Sequence, residues 1–268
     1  MILLDAWDLG LAALLVLSLG FVSWRLRLGI TSQILIAALR TVIQLLLIGL
    51  ILKTLFGHVD LLWVALIAVI MVLVAGREIH ARQTRRFRGW WGFGMGTVSM
   101  FISSFVVAIL ALVVLVQADP WYHPRYAIPL LGMIMGNSMT GVSLAMDRLT
   151  HGIWQQRSQI EARLILGHSW NQAAEQIQRE AMRSGMMPMI NAMAAAGIVS
   201  LPGMMTGQIL AGSSPVEAVK YQILVMFLIT AGAGFGTLAV VRVGTGRLFD
   251  DRHRLRLDRL KNIGQNGN

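Results

Sequence analysis

Residues 197–215, "GIVSLPGMMTGQILAGSSP", lie within residues 184–216, a run of 33 residues without a charged side chain. A straight helix of that length would measure about 50 Å, whereas the hydrocarbon core of a bilayer is about 30 Å thick. The quoted stretch also contains two prolines and four glycines. It is apolar enough to enter a membrane, but its composition predicts a broken helix rather than a simple crossing.

The remainder of the chain has the same apolar character. Of its 268 residues, 56% are hydrophobic and only 13% are charged, against about 25% charged in soluble domains. Its charge-free or nearly charge-free runs predict an all-α integral membrane protein with about seven transmembrane helices. The runs are residues 9–24, 33–52, 61–76, 89–118, 126–146, 184–216 and 221–241. A cleaved signal peptide is not expected, because the first run follows two aspartates and no basic residue.

The basic residues predict the orientation of these helices. If the N-terminus is outside, 19 of the 23 basic residues fall in inside loops and the tail, as the positive-inside rule requires. We therefore expect a transmembrane domain over residues 1–245 with a cytoplasmic segment at 147–183. Residues 246–268 would form a cytoplasmic tail, expected to be a helix that frays. This charge distribution favours contact with membrane lipids over nucleic-acid binding.

The cytoplasmic segment is patterned more regularly than a simple connector. The apolar residues of "IWQQRSQIEARLILG" predict a short helix that ends at Gly167. The next residues, "SWNQ", predict a capping box with Ser169 as N-cap and Gln172 three positions later, which would begin a second helix. Two interpretations remain open: a hairpin packed on its own transmembrane helices, or a docking element for a cytoplasmic partner.

Polar residues within the second and fifth apolar runs are candidates for a transport pathway. Arg40 and Gln44 lie on one face of the second run, where Arg40 either faces a cavity or snorkels to the membrane surface. In the fifth run, Gly132 and Gly136 predict close helix packing. Asn137 follows them, and its amide needs a partner or water at membrane depth.

The opening stretch is the third candidate. Pro202 and Gly203 should end one helix within or at the edge of the membrane. Broken helices of this kind expose backbone groups to substrates in transporters, although a loop at the outer interface has the same composition. The candidate gate residues here are Ser200, Pro202, Gly203, Met204 and Met205. The 16 methionines are soft ligands, but we interpret them as adaptable packing.

The chain lacks the motifs of several enzyme classes. It has no Walker A loop, no H-E-x-x-H zinc motif and no G-x-S-x-G elbow. We therefore expect no enzymatic activity and no covalently bound cofactor. If ATP is used, a partner subunit hydrolyses it.

Three stretches closely resemble the Fet-type (FetB) permease family, formerly an uncharacterised membrane protein family. They are "RTVIQLLLIGLILKTLF" at 40–56, "IPLLGMIMGNSM" at 128–139 and "GIVSLPGMMTGQILAGSSPVEAVKYQI" at 197–223. Tyr221 and Gln222 belong to the last of these and join the pathway candidates. The resemblance implies an ABC transporter permease of the bacterial inner membrane that exports iron. It also implies a cognate ABC ATPase and a permease homodimer in a two-plus-two complex.

The resemblance extends to the cytoplasmic segment. "EARLILGHSWNQA" resembles the coupling element of ABC permeases, with Glu161, Ala162, Gly167 and Ser169 as the ATPase-coupling residues. Arg163 stands where that broader motif has a second alanine. No metal ligands can be assigned, because carboxylates and histidines are nearly absent from the apolar runs. The alternatives are an ABC permease for another solute, such as a nucleotide sugar, and a seven-span receptor or sensor.

Overall fold

The computed structural model describes residues 5–57 and 59–262, and most of them are helical. The helices are α1 Ala6–Arg25, α2 Thr31–Leu55, α3 Leu61–Ala81, α4 Trp90–Leu110, α5 Pro124–Gln155, α6 Arg157–Ile165, α7 Trp170–Ala173, α8 Glu175–Ala195, α9 Gly203–Leu210 and α10 Pro215–Arg247. A π-helical turn, Ala111–Leu115, continues α4, and a 3-10 turn covers Leu257–Arg259. Two short strands, β1 Arg85–Phe87 and β2 Leu260–Asn262, complete the described elements.

Within the described residues, six helices are long and apolar enough to cross a membrane. These are Trp7–Arg25, Thr31–Leu55, Leu61–Ala81, Trp90–Val116, Pro124–Gln155 and Pro215–Arg247. The chain is therefore an all-α, multi-pass membrane protein, as predicted. The sixth of the seven predicted runs, 184–216, does not form one helix, because α8 ends at Ala195 and α9 begins at Gly203. The orientation of the helices stays a prediction.

The chain divides into two compact units, of which the first is Met1–Val59. Its described part is a hairpin of α1 and α2 that pack against each other. Gly20 lies at this contact, where an added Cβ would touch a methyl group of Leu35 at an ordinary van der Waals distance of 3.4 Å. Near the turn, the Thr31 hydroxyl donates a hydrogen bond to the Ser23 hydroxyl at 3.1 Å.

The second unit, Asp60–Asn268, is built around α5 and α10. These two helices pack against each other and against α4 and α8, and α3 packs on α4 and α5. The side chains between them are large and fully buried. They include Met100, Ile134, Met146, Leu149, Val240 and Val241.

Small residues allow α8 to approach α5 closely. A Cβ added at Gly185 would lie 2.6 Å from the carbonyl oxygen of Gly141 and 2.9 Å from Ala145 Cβ. The predicted close packing holds at Gly132, where an added Cβ would lie 3.3 Å from the Met71 methyl group of α3, but not at Gly136, which is exposed and where nothing lies within 4 Å of an added Cβ. Gly141 is five residues further along α5, about 140° around the helix from Gly136. The close contact with α8 therefore uses a different face of α5 from the one that carries Gly136.

The prediction of a helical tail is wrong. After α10 ends at Arg247, the chain turns back, and β2 pairs antiparallel with β1. The Asp250 side chain accepts hydrogen bonds from the backbone N–H groups of Arg252 and Arg254, which stabilises a turn instead of a helix. The Arg259 guanidinium donates to the Arg247 carbonyl at 2.6 Å and caps the end of α10. The proposed boundary at residue 245 stays a prediction.

Candidate functional site

The segment between α5 and α8 has the local structure that its sequence predicts. The short helix α6 ends at Ile165, and Gly167 adopts a positive φ of 89°. Ser169 is the N-cap of α7, and its hydroxyl accepts the Gln172 N–H at 3.4 Å while Gln172 Oε1 accepts the Ser169 N–H at 2.9 Å. The predicted helix, stop and capping box are confirmed. The second helix is interrupted at Ala174, where α7 gives way to α8.

The turn between α6 and α7 exposes apolar side chains. Ile165 is 85% exposed and Leu166 is 77% exposed, although both are aliphatic. Ile160, on α6, is by contrast only 1% exposed and attaches the helix to the protein. Adjacent exposed aliphatic side chains on a polar segment are typical of a contact surface. We call Ile165 and Leu166 the coupling tip.

The predicted coupling residues surround this tip. Glu161, Ala162 and Gly167 are exposed, and Ser169 is half-buried. The Glu161 carboxylate and the apolar tip are therefore presented together on α6 and the turn that follows it.

The far side of the coupling segment is fastened to α10 and the tail. The Trp170 ring stacks on Phe249 at a centroid distance of 5.9 Å, with the rings 29° from parallel. The Arg242 guanidinium carbon lies 5.4 Å from the Trp170 ring centroid, and its Nη1 donates to Asn171 Oδ1 at 2.7 Å. These contacts combine ring stacking, cation–π attraction and a hydrogen bond. These contacts could not be predicted from the sequence, because the expected helical tail would not turn back toward α7.

A second attachment joins the start of α6 to β1. The guanidinium carbon of Arg85 lies 4.1 Å from the Trp154 ring centroid, and that of Arg157 lies 5.5 Å from it. Two residues before Trp154 on α5, an added Cβ at Gly152 would lie 2.8 Å from Ile177 Cγ2 of α8. The coupling segment is therefore held against α5, α8 and α10, so a force applied at its tip would act on all three helices.

The broken helix at 196–202 differs in detail from the prediction. The helix α8 ends at Ala195, seven residues before Pro202. Gly197 has a φ of 85°, and its N–H donates to the Ser200 carbonyl at 2.9 Å in a tight turn. Pro202 is the N-cap of α9, so "LPG" begins a helix instead of ending one. Its φ of −63° suits a helix start, where no intrahelical N–H donor is needed.

The predicted gate residues in or next to α9 and α10 differ in how exposed they are. Ser200, Gly203 and Tyr221 are exposed, and Pro202, Met204 and Met205 are half-buried. Gln222 is buried on α10, and Gln208 is half-buried on α9, which packs against α10. Among the described residues, neither Gln222 Oε1 nor Gln208 Oε1 has a hydrogen-bond partner, although both atoms are buried. Each of these two amide oxygens therefore lacks the hydrogen bond that a buried polar atom ordinarily has.

The other predicted pathway residues belong to α5 and α2. Asn137 is half-buried, and its Nδ2 donates to the Met133 carbonyl of its own helix at 2.8 Å. Arg40 and Gln44 belong to α2 of the first unit, where both are exposed. Among the described residues, no group of three or more His, Cys, Asp and Glu side chains could hold a metal ion.

Comparison with known proteins gives a family match over most of the chain. The model described as "Uncharacterised protein family (UPF0014)" matches residues 6–249. The "UPF0014 membrane protein slr1647" of Synechocystis is 38% identical over 257 residues, which cover 94% of this chain and 96% of the relative. No solved structure matches the chain at a significant level.

Two further relatives have names that mention a function or a phenotype. The "Probable iron export permease protein FetB" of Escherichia coli is 32% identical over 255 residues, covering 95% of this chain and 96% of the relative. The "Protein ALUMINUM SENSITIVE 3" of Arabidopsis thaliana is 33% identical over 228 residues, covering 83% of this chain and 80% of the relative.

Proposed function

Because the chain belongs to the UPF0014 family of membrane proteins, we propose that it is the permease subunit of an ABC transporter that exports iron. The name of the Escherichia coli relative supports the transport assignment. The observation that carries the ABC assignment is the coupling tip, where Ile165 and Leu166 are 85% and 77% exposed. A groove on a separate ATPase subunit would cover these side chains.

The contacts of the coupling segment support a mechanism in which ATP-driven closure of the ATPase pair moves the helices. The tip would move with the ATPase, and the Trp170–Phe249 stack would carry that movement to α10. Ile160 and Gly152 would carry it to α5 and α8. Packed helices respond to such a displacement as rigid bodies, which suits alternating access. In this proposal the chain is not itself an enzyme, and two copies pair with two ATPases in a bacterial inner membrane.

The substrate would pass neutral side chains. The amide oxygens of Gln208 and Gln222 and the thioethers of Met204 and Met205 are among the polar or polarisable groups around α9. Oxygen and thioether ligands without a carboxylate would hold Fe²⁺ weakly, which permits release. The same neutral groups would accept the hydroxyl groups of a nucleotide sugar, the alternative substrate.

The first test measures assembly with the ATPase. The chain is co-expressed with an ATPase encoded beside it, and the amount of ATPase that copurifies is measured. Leu166→Asp should reduce copurification at least tenfold, because it places a charge in the apolar contact. Ile198→Asp is the matched control, since Ile198 is 92% exposed beyond the opposite end of α8, about 30 Å away. Equal copurification of ATPase by both variants and the wild type would contradict the docking assignment and favour a receptor.

The second test measures transport by inside-out vesicles that contain the chain and its ATPase. We expect ATP-dependent uptake of Fe²⁺ that stops when ATP is withheld. Uptake of a nucleotide sugar without uptake of Fe²⁺ would support the assignment as an ABC permease but contradict iron as the substrate. Glu161→Lys should leave the chain in the membrane while uptake per ATP hydrolysed falls.

A further inference from the structure

We propose that the second unit holds a phospholipid with an anionic headgroup, with an acyl chain between α4 and α10 and the headgroup beside Arg247 and Trp91. This site is separate from the coupling tip and from the residues around α9. Three features support a lipid site here: the shape of the groove, its continuity with a pocket that contains arginines, and the charges at that pocket.

The apolar part of the site is a groove of about 550 Å³ between α4 and α10. Its walls are exposed aliphatic and aromatic side chains, including Val98, Ile102 and Phe235. Its floor is closed by buried residues such as Ser103 and Leu228. A groove of this kind takes a flexible hydrocarbon chain more readily than a rigid polar ligand.

The groove is also long enough for one acyl chain. It runs along α10 from Leu228 to Val243, a rise of about 22 Å. One leaflet contributes about 15 Å of hydrocarbon, half of the total core thickness. An acyl chain that starts at the Val243 end can therefore lie in the groove over the whole depth of its leaflet.

The groove continues into a polar pocket. Val243 lines both the groove and a second cavity of about 410 Å³, which is formed by the end of α10, the start of α4 and the tail. In this cavity the Arg247 guanidinium carbon lies 4.4 Å from the Trp91 ring centroid. A tryptophan at the end of a transmembrane helix is typical of the headgroup level. The groove and the cavity together match a molecule with an apolar chain and a polar head.

The charges at the pocket favour an anionic headgroup. Arg247 and Arg259 line it together with Asp250 and Asp251. Asp250 is already paired with Arg254, at 3.0 Å, so Asp251 is the acidic group that opposes the two arginines. The backbone of Arg259 is fixed in turn, because its carbonyl accepts the Arg88 N–H at 2.8 Å.

The Arg259 guanidinium is held in place by its own hydrogen bonds. Its Nη1 donates to the carbonyl oxygens of Arg247 and Phe249, at 2.6 and 3.2 Å. Basic pockets between transmembrane helices bind anionic lipid headgroups. A second copy of the chain in this groove would instead bury the Arg247 charge, which is costly without an acidic partner.

The test adds defined lipids to the purified full chain in a mild detergent. Bound lipid is counted by native mass spectrometry, and thermal unfolding is followed in parallel. Dioleoyl phosphatidylglycerol should bind and raise the Tm, while dioleoyl phosphatidylcholine should bind at least tenfold more weakly. Equal binding of the two lipids would overturn the assignment of an anionic headgroup. An equal rise in Tm with inorganic phosphate alone would overturn the part of the proposal that places an acyl chain.

Two variants test the two halves of the site. Arg247→Gln should weaken phosphatidylglycerol binding at least tenfold, and Arg179→Gln is the control, because Arg179 pairs with Glu175 away from the pocket. Ala239→Trp should fill the groove and reduce binding while Arg247 stays in place. If neither Arg247→Gln nor Ala239→Trp alters lipid binding, the proposal is wrong. A change of oligomeric state in Ala239→Trp, without a change in lipid binding, would assign the groove to a second copy.

Discussion

Trp170, the first residue of α7, stacks on Phe249, two residues beyond the end of α10, with their ring centroids 5.9 Å apart. The contact joins the segment that carries the coupling tip to a helix long enough to cross the membrane. Trp170 and Phe249 are distant in sequence, and only the turn of the tail brings the rings together. The stack joins α7 to the residues that follow α10, and Arg242 of α10 itself adds a hydrogen bond to Asn171 at 2.7 Å.

Replacing Phe249 should loosen this link. Phe249 is 4% exposed, so Phe249→Ala should destabilise the protein by about 3–5 kcal/mol. We expect faster hydrogen exchange in α7 and in the tail, measured by mass spectrometry. Phe227→Ala, at an exposed position of α10, serves as the control with little effect. Unchanged exchange in α7 of the Phe249 variant would mean that the stack does not hold the coupling segment.

A methyl group added at the contact between α5 and α8 should destabilise the protein. Gly185→Ala places a Cβ 2.6 Å from the Gly141 carbonyl oxygen, so we expect destabilisation of about 1–3 kcal/mol. Gly136→Ala, where an added Cβ meets nothing within 4 Å, should be neutral or stabilising by up to about 1 kcal/mol. Thermal unfolding of the two variants in the same detergent compares them. A lower Tm for Gly136→Ala than for Gly185→Ala would contradict this assignment of faces.

The turn after α6 should require glycine. Gly167 has a φ of 89°, and Gly167→Ala would cost about 1–3 kcal/mol of local strain and alter the direction of the coupling tip. We expect ATP hydrolysis by the partner to continue while transport per ATP falls severalfold in vesicles. Gly207→Ala is the control, since Gly207 is helical and its added Cβ would meet nothing within 4 Å. Normal transport per ATP by Gly167→Ala would show that this turn is not needed to couple ATP hydrolysis to transport.

The folding of the tail should depend on pH through Asp250. The Arg254 N–H, followed by the Arg252 N–H and the Arg254 charge, holds the pKa of Asp250 below its ordinary value. A carboxyl group with a lowered pKa stabilises the folded state above its unfolded pKa of about 3.9. That stabilisation is lost as the pH falls through the folded-state value. We expect protease cleavage within 250–262 to rise below about pH 4 in the wild type.

Asp250→Asn is the control for this pH dependence, because it keeps an acceptor oxygen and cannot titrate. It should show a smaller change in cleavage between pH 6 and pH 3 than the wild type. Asp258 contributes in the same direction, since the Arg256 side chain lowers the pKa of its carboxyl group. The same pH profile in both proteins would assign the effect to groups other than Asp250.

Gln222 should show opposite effects on stability and transport. Its Oε1 is buried and has no hydrogen-bond partner among the described residues, so Gln222→Leu should raise the Tm by relieving the cost of that buried oxygen. If the oxygen faces the solute, transport should fall at the same time. The control is Gln178→Leu, which removes a paired amide that donates to Asn171 and should lower the Tm. Unchanged transport by Gln222→Leu would remove this residue from the pathway.

Local features of the chain were predictable to the residue. The stop at Gly167 and the capping box from Ser169 to Gln172 both depend on side chains and backbone within a few positions. The Pro202–Gly203 pair shows the limit of such reasoning. A proline predicts a break in a helix. Whether it ends one helix or begins the next depends on how the backbone N–H and C=O groups of the preceding residues are hydrogen-bonded. Here the turn at Gly197 ends α8 first, and Pro202 caps α9.

The amino-acid sequence is enough to identify a helical membrane protein with a patterned segment between its apolar runs. Hydrophobic runs and caps act over one to a few turns, so they can be read along the chain. The tertiary structure alone decided that Gly141, not Gly136, meets α8, and that the tail folds back onto β1 and Trp170. These contacts join residues far apart in sequence, and which helix faces meet depends on the packing of the whole second unit.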